Sequence, residues 1–134
     1  MNAPQKPNKI RTILYIEDDA VVLKAYQKRL QQAGFHVIPA HDGLEAIKRL
    51  STIVPDLVLL DLVMPRFSGS EVLQFIRTHQ TLASIPVIVL STNSVDDAEQ
   101  EHLLESASRR ILKSLCTPAI LLNAIQEVLT DQPA

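Results

Sequence analysis

A three-layer α/β fold, an open parallel sheet covered by helices on both sides, is what this sequence predicts, and three observations carry that expectation. Five short apolar runs, Thr12 to Ile16, Phe35 to Ala40, Asp56 to Leu60, Val87 to Leu90 and Ile111-Leu112, are separated by longer amphipathic segments. Three of the runs are nearly continuous in Ile, Leu and Val, which suits strands buried on both faces of a parallel sheet. Each gap also holds a readable helix start, and strand-helix alternation with right-handed crossovers closes into that layered form.

The elements follow in chain order. After the first strand, Val22, Tyr26, Leu30 and Ala33 make one helical stripe that ends before Gly34. The second, third and fourth helices are predicted to start at Asp42-Gly-Leu-Glu45, Ser68-Gly-Ser-Glu71 and Ser94-Val-Asp-Asp97, where a capping side chain precedes an acid by three positions. Thr117-Pro118 caps and opens the fifth. Residues 10–130 are expected to form one domain. Residues 1–9 and 131–134, polar and proline-containing without periodicity, read as loose tails.

Composition narrows the function. The 134 residues are 46% apolar and 21% charged with a net charge of -2, so no broad basic field is available for direct nucleic-acid binding. The single Cys116 has no internal disulfide partner, and neither a zinc cluster nor a secretory signal is present, which fits a reducing, cytoplasmic setting. No apolar stretch approaches the roughly 20 residues needed to cross a bilayer. The four histidines show no metal-ligand spacing.

In open parallel sheets, chemistry gathers beyond the carboxyl ends of the strands. There this sequence places Glu17-Asp18-Asp19, Asp61, Ser91-Thr92 and Lys113. Carboxylates about 4 Å apart in a partly buried site repel by roughly 4 kcal/mol per pair, so they call for a hard cation, and magnesium with its preference for oxygen ligands suits such a cluster. Asp19, at the start of the first helix, reads instead as an N-cap. Asp61 follows Leu57 to Leu60 directly, where a lone carboxylate would be costly unless paired or metal-bound. Lys113 reads either as a surface lysine or as a strand-end ammonium that can reach a phosphoryl oxygen or the carboxylate, and Ser91 either as a turn residue or, with the other three, as a hydrogen-bond donor to a phosphoryl oxygen.

Taken together, Ile13 to Asp19, Asp42-Gly43, Asp56 to Asp61 running into Met64-Pro65, Val87 to Thr92, and Ile111 to Lys113 resemble the receiver domain of two-component response regulators. The resemblance spans Ile10 to about Leu129. It implies a flavodoxin-like, five-stranded parallel sheet of order 2-1-3-4-5 with five helices. It makes Asp61 the phospho-acceptor, Glu17 and Asp18 the magnesium (Mg2+) carboxylates, and the Val63 backbone carbonyl a further ligand, with Ser91 and Lys113 holding the phosphoryl group. A histidine kinase or histidine phosphotransfer protein is the implied donor. A downstream effector, and a monomer or phosphorylation-dependent dimer, complete the picture. Such a switch catalyses only its own aspartyl phosphorylation and dephosphorylation.

Three positions depart from the family. Arg110 stands where an aromatic switch residue is usual, Ser114 replaces the proline after Lys113, and Ser106 replaces a common glycine. All lie on the segment that transmits the signal, which would rebuild that surface around Arg109 and Arg110 or leave them as solvated edge charges. Val63 offers no side chain to position water, so a persistent phosphoryl group is expected. A phosphatase of the haloacid dehalogenase type would need a second aspartate at the Val63 position, and a flavin module a Gly-rich or Ser/Thr-rich phosphate loop after the first strand. The remaining alternative is a receiver-like interaction module with altered or absent phosphorylation-dependent switching.

Overall fold

The computed structural model describes residues 9–62, 69–91 and 103–131. A five-stranded sheet of order β2-β1-β3-β4-β5 runs through it, built from β1 (Thr12–Ile16), β2 (His36–Ala40), β3 (Leu57–Asp61), β4 (Val87–Ser91) and β5 (Arg109–Leu112). Every pairing is parallel, as the apolar runs and the family resemblance predict. Four helices are described: α1 (Ala20–Gln32), α2 (Gly43–Leu50), α3 (Gly69–Thr78) and α4 (Pro118–Thr130), the last being the one that Thr117-Pro118 opens. The predicted start at Ser94 to Asp97 lies outside the described residues, as do Val63 to Ser68, Thr92, His102 and most of both expected tails.

The period of two in each strand separates the core into two layers. Leu14, Ile16, Val58, Leu60, Val87 and Val89 face α2 and α3, where they meet Leu50, Val72, Leu73 and Ile76. Ile13, Tyr15, Leu57, Leu59, Ile88 and Leu90 face the other way, onto Leu23 and Leu30 of α1 and Leu121, Ile125 and Val128 of α4. The three central strands are buried almost throughout, which explains their unbroken apolar runs. Pro39 is tolerated in β2 because that strand is an edge with β1 as its one neighbour in the sheet.

Caps fix the helix directions. Asp19 accepts from the N–H groups of Val21 and Val22 at the start of α1, Asp42 from that of Glu45 at α2, and Thr117 from that of Ile120 at α4. Gly34 ends α1 with φ of 99°, a conformation that favours glycine. The buried residues of α1 are Leu23 and Leu30, flanked by half-buried Val22 and Tyr26. Ala33, predicted on the stripe, is instead the exposed C-cap, because the chain has already left the helix there.

Strand ends also shift. The Asp56 carboxylate accepts from the Thr12 N–H at 2.7 Å, so β3 starts one residue later than the apolar run and includes Asp61. The fifth strand begins two residues earlier than its apolar pair, since Arg109 and Arg110 align with Ile88 and Val89 in the ladder. No described residue other than glycine has positive φ, so the turn at Ser106 uses ordinary backbone. The Arg77 guanidinium holds that turn, donating to the Ser106 carbonyl at 2.8 and 3.1 Å and to the carbonyls of Ala83 and Ile85 at 3.0 and 2.7 Å. No cis peptide occurs among the described residues, so the Lys113-Ser114 bond is trans, and Lys113–Leu115 form one 3-10 turn.

Candidate functional site

Parallel strands deliver their carboxyl ends to one edge of the sheet, and the polar residues collect there. Glu17 follows β1 with its N–H donating to the Ala40 carbonyl, Asp61 closes β3, Ser91 closes β4, and Lys113 follows β5. Glu17 and Asp61 are fully buried and Ser91 nearly so. The Lys113 ammonium lies 2.8 Å from Asp61 Oδ2 and 3.4 Å from Glu17 Oε1, linking the edge strand to the centre of the sheet. In the ladder Asp61 pairs with Leu90, which puts Ser91 one residue beyond the carboxylate on the neighbouring strand.

Glu17, exposed Asp18 and Asp61 each offer a carboxylate oxygen, and these oxygens lie within 4.8 Å of one another. Burial, followed by a hydrogen bond with Asp61 and repulsion from it, pushes the Glu17 carboxyl up to about 7, against the pull of the Asp19 N–H and Lys113. Burial alone would lower the Lys113 ammonium, but the hydrogen bond and charge of Asp61, joined by Glu17, carry it above the ordinary lysine value. Among the described residues, Lys113 pairs with Glu17 and Asp61 of the three clustered acids. Glu17 Oε1 is buried with no hydrogen-bond partner among the described residues, although the Lys113 ammonium stands 3.4 Å away. An all-oxygen cluster with surplus negative charge and an orphaned buried oxygen fits a hard divalent cation.

Glu17, Asp18, Asp61, Ser91 and Lys113, all expected from the sequence, thus lie at one edge of the sheet, while Val63 falls outside the described residues. Asp19, read as a cap, is one. Arg109 is ion-paired to Glu127 of α4 at 3.0 Å, and exposed Arg110 points to the opposite face of β5. Two residues at the site escape sequence reasoning. Gly69 packs so closely against the end of β3 that an added Cβ would lie 2.6 Å from Leu62 Cα and 2.7 Å from the Asp61 carbonyl oxygen. Tyr15, inside an apolar run, buries a hydroxyl with no hydrogen-bond partner among the described residues. A tyrosine on the same strand face as Glu17 is the only signal the sequence offers for it.

Comparison with known proteins agrees with this geometry. The family model described as "Response regulator receiver domain" matches residues 13–126. The chain is 25% identical over 111 residues to the polar-differentiation response regulator DivK of Brucella ovis, covering 83% of this chain and 90% of DivK. It is 33% identical over 81 residues to the alkaline phosphatase synthesis transcriptional regulatory protein PhoP of Bacillus subtilis, a match covering 60% of this chain but only 33% of PhoP. Among solved structures, the response regulator TrrA of Thermotoga maritima, in complex with Mg(2+)-BeF, superimposes with a TM-score of 0.75 at 25% identity, covering 89% of this chain and 99% of TrrA. With the strand order, the acid cluster and the lysine opposite it all in place, this chain belongs to the response regulator receiver domain family.

Proposed function

We propose that the chain is a phosphorylation-dependent switch, with Asp61 accepting a phosphoryl group from a histidine kinase or histidine phosphotransfer protein in a magnesium-dependent reaction. The observation that carries this reading is the Asp61 carboxylate, fully buried, 2.8 Å from Lys113 and in reach of Glu17 and Asp18. Residues 10–130 form the switching unit, and the activity is limited to its own phosphorylation and dephosphorylation.

Aspartate is a weak nucleophile, so positioning and charge neutralisation supply the catalysis. An Asp61 oxygen bonds to phosphorus as the phosphorus–nitrogen bond of the donor histidine breaks, its electron pair returning to the imidazole ring. Lys113 neutralises an equatorial oxygen of the transferring group, and Ser91 donates a hydrogen bond to another. Glu17, Asp18 and Asp61 would hold Mg2+, with the Val63 backbone carbonyl as a further ligand by the family resemblance. Bound there, the ion would supply positive charge to the phosphoryl oxygens and to the crowded acids. That the similar TrrA was solved in complex with Mg(2+)-BeF supports the magnesium dependence. The donor and a downstream effector act in the cytoplasm, with no direct role for nucleic acid or membrane, on a monomer or a phosphorylation-dependent dimer.

Intact mass after incubation with acetyl phosphate and Mg2+ tests the reading. One added phosphoryl group is expected, absent in Asp61→Ala and in a magnesium-depleted sample. An unphosphorylated but folded wild type, with a phosphohistidine donor also failing, would replace the switch by a receiver-like interaction module.

A further inference from the structure

Ser91 and Lys113 stand at the ends of two neighbouring strands, and those strands differ in what fixes them. All five residues of β4 are buried, whereas none of the four in β5 is. A strand that buries neither face is poorly held in register by its side chains, and a slip of one residue turns every side chain to the opposite face. Such a slip in β5 would carry Lys113 away from Asp61, to which its ammonium stands 2.8 Å away. The pairing that runs from Ile88 with Arg109 to Ser91 with Leu112 therefore needs support from outside the strand.

That support lies at the opposite end of the two strands, on Arg77 in the last turn of α3. Its Nη1 donates to the carbonyls of Ala83 and Ile85, just before β4, at 3.0 and 2.7 Å. Its Nε and Nη2 donate to the Ser106 carbonyl, just before β5, at 3.1 and 2.8 Å. One planar guanidinium thus ties the starts of both strands to one helix, and its rigid fork sets their spacing. The bonds are charge-assisted, which makes them stronger than bonds between neutral groups. Ser108 adds a second tie, its N–H donating to the Val87 carbonyl at 2.8 Å and its hydroxyl oxygen accepting from the Val87 N–H at 3.2 Å. From Ile85 to Ser91 the chain advances about 20 Å at the usual strand rise, so Arg77 acts on the acid pocket only through the strands.

We infer that Arg77 is a positioning residue for phosphoryl transfer: by fixing the starts of β4 and β5 it sets their register, and so places Ser91 and Lys113 beside Asp61. That these two side chains serve the transfer rests on the function proposed above. That Arg77 places them does not, and the test reads the two separately.

The full chain is compared with Arg77→Leu, with folding checked by circular dichroism. Nuclear Overhauser contacts, recorded without Mg2+ or phosphodonor, read the register directly. Wild type should show Ile88 against Arg109, Ser91 against Leu112, and the Lys113 side chain against Asp61. In folded Arg77→Leu the contacts among β1, β2 and β3 should remain, while those three are lost or shifted by a residue. Phosphorylation by acetyl phosphate and Mg2+, followed by intact mass, should slow about tenfold or more, since a misplacement of about 1 Å can cost about a hundredfold. Should Arg77→Leu fail to fold, Arg77→Lys, which keeps the charge without the fork, takes its place with the same expectations. A folded variant with unchanged β4–β5 contacts would overturn the proposal, even if it unfolds at lower urea, and would leave Arg77 a stabilising residue only. If wild type itself takes up no phosphoryl group, the function proposed above fails, while the Overhauser contacts still decide the role of Arg77.

Discussion

The two ends of β5 carry ion pairs of almost the same length in very different surroundings. Before Ile111, Arg109 meets Glu127 at 3.0 Å with side chains 39% and 52% exposed. After Leu112, Lys113 meets Asp61 at 2.8 Å, and that carboxylate has no exposure at all. Water screens the first pair and can replace either partner. Around the second, Glu17 adds a like charge that water cannot dissipate. Distance alone does not rank the two pairs; desolvation and the neighbouring charge do.

The comparison is sharpened most by removing the cation. Lys113→Met leaves Asp61 and Glu17 buried without their counter-charge and is expected to cost about 3 to 5 kcal/mol in urea unfolding at pH 8 without metal. Added Mg2+ should return much of the loss by binding only the folded state. No loss would mean that the acids at this end of the sheet are already neutralised by another route.

Glu17→Gln acts in the opposite direction. The folded Glu17 carboxyl titrates at about 7, against 4.5 for the ordinary group, so between these values the folded state holds more protons than the unfolded chain. Metal-free stability therefore falls as pH rises through that window, and the cost is complete above it. Relative to wild type, Glu17→Gln should flatten this slope and gain about 3 kcal/mol at pH 8. An unchanged slope would show that Glu17 does not carry the strain.

At the other end of β5, Arg109→Ala should cost below about 1 kcal/mol, and less at high salt. A larger effect would place the Arg109–Glu127 pair in the same class as the buried one and erase the contrast.

How much of this was legible depends on whether the signal was local. The central strands announced themselves because burial on both faces demands unbroken apolar runs, and the caps because Asp19, Asp42 and Thr117 immediately precede the helices they serve. The polar residues at the strand ends were legible for the same reason, since each directly follows or closes an apolar run. The start of β5 was obscured because Arg109 and Arg110 pair by backbone while their side chains read as surface. The close approach of Gly69 to Leu62, the Arg77 clamp on Ser106 and the orphaned hydroxyl of Tyr15 join distant segments. No spacing in the sequence reports a contact made only when the chain has folded.

The assignment of Asp61 as the acceptor is tested most directly by trapping the modified residue. After phosphorylation with acetyl phosphate and Mg2+, borohydride reduction converts an aspartyl phosphate into homoserine, which peptide mass analysis can place. Homoserine at position 61 is the predicted result. An adduct at Glu17 or Asp18, or a phosphorylated protein whose Asp61 survives reduction unchanged, would contradict it.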